Sequence, residues 1–288
     1  VAQATQSYLN KAPNEASGVL STALSFLTLY RDPIVADNTR VSDFTLESLM
    51  GGPDVTGNPT TEKTALYLVV PPSDKDRLKP LLRLVINQVV RRLTEGMDFD
   101  STGLSSSRFP HKLLLLIDEF PSLGKLDIFQ EALAFIAGYG LKALLIVQDV
   151  SQLHAAYGKD ESIMSNCPIR TAYAPNKIET AEMLSKMVGQ STVTQTQRQY
   201  SGNRLAVVLQ HVNTNEQIVE RPLLTPDECM RLPPDDEIVF MAGHAPIYCD
   251  KIKYYLDAAL AERVKLGASR STGRPEKHET NSPDAAAA

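Results

Sequence analysis

Two acidic residues directly follow an uninterrupted apolar run, and this combination is the strongest chemical signal in the sequence. The run Leu113–Ile117 has the length of a buried strand, and Asp118 and Glu119 come immediately after it. Open α/β sheets bind ligands at the carboxyl ends of their parallel strands. An acid there can hold the magnesium that bridges nucleotide phosphates, and its neighbour can orient the attacking water. The pattern matches Walker B; the alternative interpretation is a strand that ends in two solvated acids.

An amide at the end of the next predicted strand strengthens this signal. Gln148 directly follows residues 143–147, which form the strand one helical crossover further on. Because the carboxyl ends of parallel strands share one edge of a sheet, we expect Gln148 to lie beside Asp118 and Glu119. A neutral amide at that edge can contact a terminal phosphate or the attacking water. The alternative is a glutamine that caps the following loop or helix.

The loop that should cradle the phosphates is missing from the sequence. No string has the form G-x-x-x-x-G-K-[ST], whose backbone amides and lysine bind phosphates. Gly124-Lys125 and Gly158-Lys159 are followed by Leu and Asp, and neither pair follows a matching glycine at a strand-to-helix turn. One half of a nucleotide site is therefore recognisable, and the other half is not.

Strands and helices alternate around these residues. Strands are expected at residues 65–70, 113–117, 143–147 and 169–174, and helices at 77–93, 128–136, 151–157 and 178–188. This order predicts an α/β fold with right-handed crossovers and a mainly parallel sheet flanked by helices. Further expectations are a Thr- and Gln-rich edge hairpin or loop at 191–199, a capping box from Thr225 to Glu228, closing strands at 237–241 and 247–252, and a last helix at 256–266.

Composition restricts the remaining possibilities. The net charge of −5 gives no support to nucleic-acid binding, and the basic residues of the 77–93 helix are interpreted as a solvated face rather than a DNA contact. Three cysteines without close spacing favour idle thiols in a reducing compartment over disulfides or zinc. No stretch approaches the roughly 18 apolar residues of a membrane span. The first residue is Val, so we expect a fragment or a processed product.

An ordered set of segments resembles the TraG/TraD family of type IV coupling proteins, from about Ser25 to about Tyr255. The two most specific are LLLIDEFPSLG at 114–124 and ALLIVQDVSQL at 143–153. The others are YRDP at 30–33, SDF at 42–44, LYLVVPPSD at 66–74, RTAYAPN at 170–176 and RPLLTPDE at 221–228. The resemblance implies a RecA-like P-loop NTPase core, with residues 1–29 as the end of a helical insert and 30–262 as the Walker B half of the nucleotide-binding domain. The composition of residues 263–288, which are poor in large apolar side chains, predicts a disordered tail.

The resemblance also implies roles for individual residues. Asp118 would be the magnesium-side acid, which holds the ion through water, Glu119 the catalytic carboxylate and Gln148 the phosphate sensor, with ATP and Mg²⁺ as cofactors. Some relatives carry an arginine before the second of these strands, as a finger acting across a subunit boundary. This chain has Ala-Gly-Tyr at 137–139, so Arg170 is the substitute candidate for contacting the nucleotide, with a structural salt bridge as the alternative.

At the level of the whole protein, the resemblance implies an ATP-driven translocase. It would link single-stranded DNA and its relaxase complex, or a protein substrate, to a type IV secretion channel, as a homo-hexamer on the cytoplasmic face of the bacterial inner membrane. The family's P-loop lies upstream of the helical insert, so we expect this chain alone to be inactive. Two alternatives stay open: a HerA-like or chromosome-partitioning DNA pump, and a non-catalytic, truncated relative that binds partners.

Overall fold

The computed structural model describes residues 2–99, 103, 105–201 and 211–270, which form two compact units that meet in sequence between Pro168 and Ile169. The helices are α1 (Ala2–Leu9), α2 (Pro13–Leu27), α3 (Pro33–Thr39), α4 (Lys75–Leu93), α5 (Asp127–Ala132), α6 (Val150–Tyr157), α7 (Ile178–Val188), α8 (Pro226–Met230) and α9 (Ala258–Arg270). The strands are β1 (Asp98–Phe99), β2 (Ser105–Ser106), β3 (Leu113–Ile117), β4 (Leu141–Leu145), β5 (Ile169–Ala172), β6 (Gln190–Ser201), β7 (His211–Pro222), β8 (Asp236–Met241) and β9 (Ile247–Asp250). Among these helices, none is both long and apolar enough to cross a membrane.

The first unit is built around the parallel pair β3 and β4. Their register runs from Leu113 opposite Leu141 to Ile117 opposite Leu145. One face of the pair packs on the core, whereas Leu114 and Leu116 on the other face are 57% and 60% exposed. The apolar run therefore forms the expected strand, but burial alternates along it because only one of its faces is covered within this unit.

Helix α4 packs against the covered face of the β3 and β4 pair. Its apolar residues recur at helical spacing, and Val89, Val90 and Leu93 are buried. They belong to one core with Phe120 and with residues of α5 and α6. The predicted helix at 77–93 is confirmed, although it begins two residues earlier, at Lys75.

The second unit contains an antiparallel sheet in the order β5-β8-β9. Strand β5 pairs with β8 from Ile169 opposite Met241 to Ala172 opposite Ile238. The parallel order expected from the sequence therefore holds for β3 and β4, but it does not continue into β5 within the described sheets. The closing strands are confirmed as β8 and β9, and α7 and α8 share their core.

Local capping signals in the second unit are confirmed. The Thr225 side chain accepts a hydrogen bond from the Glu228 backbone N–H at 3.3 Å, and the Glu228 carboxylate accepts one from the Thr225 N–H at 2.8 Å. The Thr225 backbone N–H, the Thr225 hydroxyl and the Arg221 guanidinium lower the pKa of Glu228. The Thr- and Gln-rich segment forms the first strand of the antiparallel hairpin of β6 and β7.

Two expectations at element boundaries need correction. Residues 65–70 form no strand: Tyr67 and Val69 are 81% and 84% exposed, and no described strand pairs with the segment. An apolar run becomes a strand only where a neighbour completes its hydrogen bonds, which the run itself cannot specify. Helix α9 ends at Arg270 and so enters the predicted tail, whose remaining residues 271–288 lie outside the described part.

Candidate functional site

The ends of β3 and β4 stay together beyond the last paired residues. The Ile146 backbone N–H donates to the Ile117 carbonyl at 3.0 Å, and the Phe120 N–H donates to the Ile146 carbonyl at 2.9 Å. These two hydrogen bonds extend the ladder through the segment that carries Asp118 and Glu119. They place this segment beside the one that carries Gln148.

Three of the four predicted site residues converge at this edge. The Gln148 side-chain amide donates to Oε1 of Glu119 at 3.1 Å, and the Glu119 backbone N–H donates to Oδ1 of Asp118 at 3.0 Å. All three residues are exposed to solvent. The expected convergence of two strand ends is thus present in the structure. The edge offers carboxylate and amide groups within hydrogen-bonding distance of one another.

The backbone of Glu119 has an uncommon conformation. Its φ and ψ are 46° and 45°, and among the described residues other than glycine it alone has a positive φ. Such left-handed geometry costs about 1–3 kcal/mol for a non-glycine residue and recurs at functional sites. The next residue, Phe120, is completely buried and stacks on Tyr157 with ring centroids 5.4 Å apart. The buried ring fixes the chain directly after the exposed acid.

Sequence reasoning missed a cation at this site. Lys75, the first residue of α4, forms an ion pair with Glu119 through Nζ and Oε2. The contact joins residues 44 positions apart in sequence. Lys75 directly follows the LYLVVPPSD segment, but neither its type nor its neighbours indicate a partner on a distant strand end.

Arg170 lies in the second unit, in the middle of the pairing between β5 and β8. It faces Phe240 in the strand register. Its Nε is buried without a hydrogen-bond partner, and no ion pair of Arg170 occurs among the described residues. The salt bridge proposed as its alternative role is therefore not found in this part of the chain. Its assignment to the nucleotide stays a prediction.

The oxygen donors at the strand ends fit a magnesium ion of the kind that nucleotides bring with them. In the described residues, no cluster of three or more His, Cys, Asp or Glu side chains could hold a metal. Mg²⁺ at phosphate-transfer sites is usually held by one or two carboxylates together with phosphates and waters. The exposed carboxylate of Asp118 can be such a ligand, with the phosphates and waters supplying the rest of the coordination.

Comparison with known proteins shows the family and the fold of this chain. The family model described as Type IV secretory system Conjugative DNA transfer matches residues 1–281. Conjugal transfer protein TraG of Escherichia coli is 43% identical over 289 residues, which cover 95% of this chain and 44% of that protein. Protein VirD4 of Agrobacterium fabrum is 33% identical over 239 residues, or 81% of this chain and 32% of that protein. The chain thus spans less than half the length of these relatives.

Solved structures of the plasmid coupling protein TrwB share the fold. The complex of TrwB with the non-hydrolysable GTP analogue GDPNP has a TM-score of 0.60 at 21% identity, over 84% of this chain and 51% of that chain. The complex of TrwB with ADP and Mg²⁺ has a TM-score of 0.58 at the same identity and coverage.

The chain therefore has the α/β fold of the coupling protein TrwB, and its parallel pair of β3 and β4 lies within that fold. This chain belongs to the type IV secretory system conjugative DNA transfer family. The evidence is the match of the family model over residues 1–281 and the identity to TraG and VirD4.

Proposed function

We propose that the chain is the Walker B part of an ATP-hydrolysing coupling protein of conjugative DNA transfer. The observation that carries the proposal is the hydrogen bond of 3.1 Å between Gln148 and Glu119 at the carboxyl ends of two parallel strands. A carboxylate and an amide at this edge can together hold a water in line with a terminal phosphate. TrwB, which shares the fold, was crystallised with nucleotide and Mg²⁺.

Each residue has a distinct role in this proposal. Asp118 holds Mg²⁺ through water, and the ion, when bound, neutralises charge on the phosphates. Glu119 orients and polarises the attacking water, and Gln148 senses the terminal phosphate while it also orients the Glu119 carboxylate. We also propose that Arg170 takes the place of the arginine finger that acts across a subunit boundary, because its buried Nε has no hydrogen-bond partner among the described residues.

The names of the relatives support DNA as the proposed cargo. TraG is a conjugal transfer protein by name, and the family model describes conjugative DNA transfer. These names support DNA transfer; a homo-hexamer at the cytoplasmic face of the bacterial inner membrane is our further proposal for the whole protein, and it rests on the resemblance to coupling proteins alone. In this proposal, the protein passes single-stranded DNA with its relaxase complex to type IV secretion channel components.

Two cations on the basic face of α4 are not assigned to DNA. Arg92 pairs with Glu47 at 2.6 Å and with Glu95 at 2.7 Å. Arg83 donates to the Leu123 carbonyl at 2.7 Å. Because both side chains already have partners within the first unit, neither is assigned a phosphate contact.

The test compares this chain with a version extended upstream through a phosphate-binding loop. Phosphate release from ATP is measured with and without single-stranded DNA. We expect the extended chain to hydrolyse ATP and this chain alone to be inactive. Glu119→Gln in the extended chain should retain ATP binding and lose about 100-fold or more of its turnover, because a positioned general base contributes about 10²–10⁴-fold. Unchanged hydrolysis in this variant would refute the role of Glu119.

The matched control is Glu182→Gln, which makes the same change at an exposed position on α7. It should leave hydrolysis unchanged. An extended chain that binds partners but never hydrolyses ATP would favour the non-catalytic module. A chain that hydrolyses ATP but fails to support plasmid transfer in a complementation assay would favour a DNA pump of another kind.

A further inference from the structure

Both oxygens of the Glu119 carboxylate have partners, and these come from two different elements. Gln148 donates to Oε1 from the segment after β4, whereas Lys75 reaches Oε2 from the start of α4. The side chains of Lys75 and Glu119 are 38% and 48% exposed, so water reaches both. A carboxylate held at both oxygens has a defined plane even though it faces solvent.

The position of Lys75 is not explained by the stability of its helix. It is the first residue of α4, where the partial positive charge of the helix disfavours a cation by about 0.3–1 kcal/mol. An isolated, exposed ion pair contributes little more than that to stability. The contact with Glu119 therefore points to a role at the site, since it contributes little to folding.

The first turn of α4 is fixed by two of the segments that resemble coupling proteins. Arg77, one half-turn after Lys75, pairs with Asp32 and with Asp74, the latter at 3.2 Å. Asp32 also caps α3 by accepting from the Ile34 N–H at 2.8 Å. This hydrogen bond and the Arg77 guanidinium lower the pKa of Asp32. The YRDP and PPSD segments thus hold the helix end from which Lys75 extends.

The other partner of the ion pair is equally well anchored. Glu119 lies between the extended ladder of β3 and β4 and the buried ring of Phe120, which also contacts Phe129 at a centroid distance of 5.5 Å. The backbone on both sides of the ion pair is therefore held by packing and hydrogen bonds. Only the side-chain torsions of Glu119 then remain free to vary, and the contacts with Lys75 and Gln148 restrict them.

We propose that Lys75 is a positioning residue for ATP hydrolysis: together with Gln148 it clamps the Glu119 carboxylate in the orientation that directs the attacking water. This inference rests on the proposed ATPase function and deepens it. The Asp32, Asp74 and Arg77 network serves the same end, because it sets where the first turn of α4 lies. Without the ammonium, the carboxylate samples other rotamers and the fraction of productive geometry falls.

The first experiment tests the contact without nucleotide. A water-soluble carbodiimide joins a carboxylate to an amine that touches it, and peptide mapping by mass spectrometry identifies the pair. We expect a cross-link between Lys75 and Glu119 in this 288-residue chain, and its loss in Glu119→Gln. A folded chain in which Lys75 and Glu119 are not cross-linked would overturn the proposal.

The second experiment tests the consequence in the extended, ATP-hydrolysing chain. Lys75→Met should lower kcat about tenfold and leave the Kd for a fluorescent ATP analogue within about twofold, since orientation affects turnover and not binding. Lys75→Arg should restore kcat to within about threefold, because it keeps the cation. Lys75→Met should lower activity no further when Glu119→Gln is already present. Lys159→Met, at an exposed loop position, is the matched control.

Other outcomes separate the two proposals. Unchanged or faster turnover in Lys75→Met refutes positioning, and weaker ATP binding at constant kcat assigns Lys75 to the nucleotide instead. Each of these results leaves the proposed ATPase role of Glu119 standing. Full activity of Glu119→Gln, in contrast, refutes the proposed function. The cross-link in the unsubstituted chain still reports whether Lys75 contacts Glu119.

Discussion

Phe120→Ala tests the support beneath the exposed acids. Phe120 is completely buried, and its ring lies 5.5 Å from that of Phe129 and 5.4 Å from that of Tyr157. The substitution removes the ring and leaves a cavity directly after Glu119. We expect a large loss of stability together with a loss of order at the strand end.

The magnitude follows from burial and ring contacts. Deletion of a buried phenylalanine ring costs about 3–5 kcal/mol, which combines the lost transfer free energy and the cavity. Within that sum, each aromatic pair accounts for about 0.5–1.5 kcal/mol. Because a domain is stable by only about 5–15 kcal/mol, the substitution removes a substantial fraction of the free energy of unfolding of the first unit.

Urea denaturation measures this loss. The chain has 10 tyrosines and no tryptophan, so tyrosine fluorescence and far-UV circular dichroism are the suitable signals. The control is Phe99→Ala at a ring that is 68% exposed, which should cost less than about 1 kcal/mol. A Phe120→Ala loss below about 1 kcal/mol, or one no larger than that of the control, would refute the view that this ring anchors the site.

Two further predictions concern the surroundings of the site. Tyr157→Phe should lower the free energy of unfolding, measured by urea denaturation, by about 1–3 kcal/mol. The buried Leu126 N–H donates to the Tyr157 hydroxyl at 3.1 Å and would lose this acceptor. A variant as stable as the unsubstituted chain would contradict this. The pKa of Asp32 is lowered by the Ile34 N–H and then by Arg77, so its contribution is present above the unfolded pKa and lost as pH falls through the folded one. Asp32→Asn should therefore lower Tm at pH 7, and the difference should shrink below about pH 4; a difference independent of pH would contradict the assignment.

The convergence of the acids and the amide was predictable because it depends on local pattern and simple topology. An apolar run ending in Asp118 and Glu119, and a second ending near Gln148, require only that consecutive parallel strands be neighbours. The structure shifts the second strand two residues earlier than expected, to Leu141–Leu145. Two backbone hydrogen bonds beyond the strand ends keep the segments together, so the shift does not separate the side chains.

The ion pair with Lys75 could not be predicted in the same way. It depends on where the first turn of α4 lies relative to a strand end 44 residues later, and that position is set by Arg77 and its acidic partners. The error at residues 65–70 has the same origin. Strand formation there requires a partner strand, and hydrophobicity along a single segment carries no information about partners.

Solvent exposure of the acid and amide cluster has a consequence for how the protein works. Electrostatic stabilisation of a transition state is strong where water is excluded and weak where it is not. Glu119 is 48% exposed in this chain, and Asp118 and Gln148 are exposed as well, although their supporting residues are buried. The cluster is therefore oriented before it is shielded. Under the proposed ATPase function, efficient turnover requires that nucleotide or a neighbouring subunit cover this edge, so hydrolysis should rise with whatever closes the site.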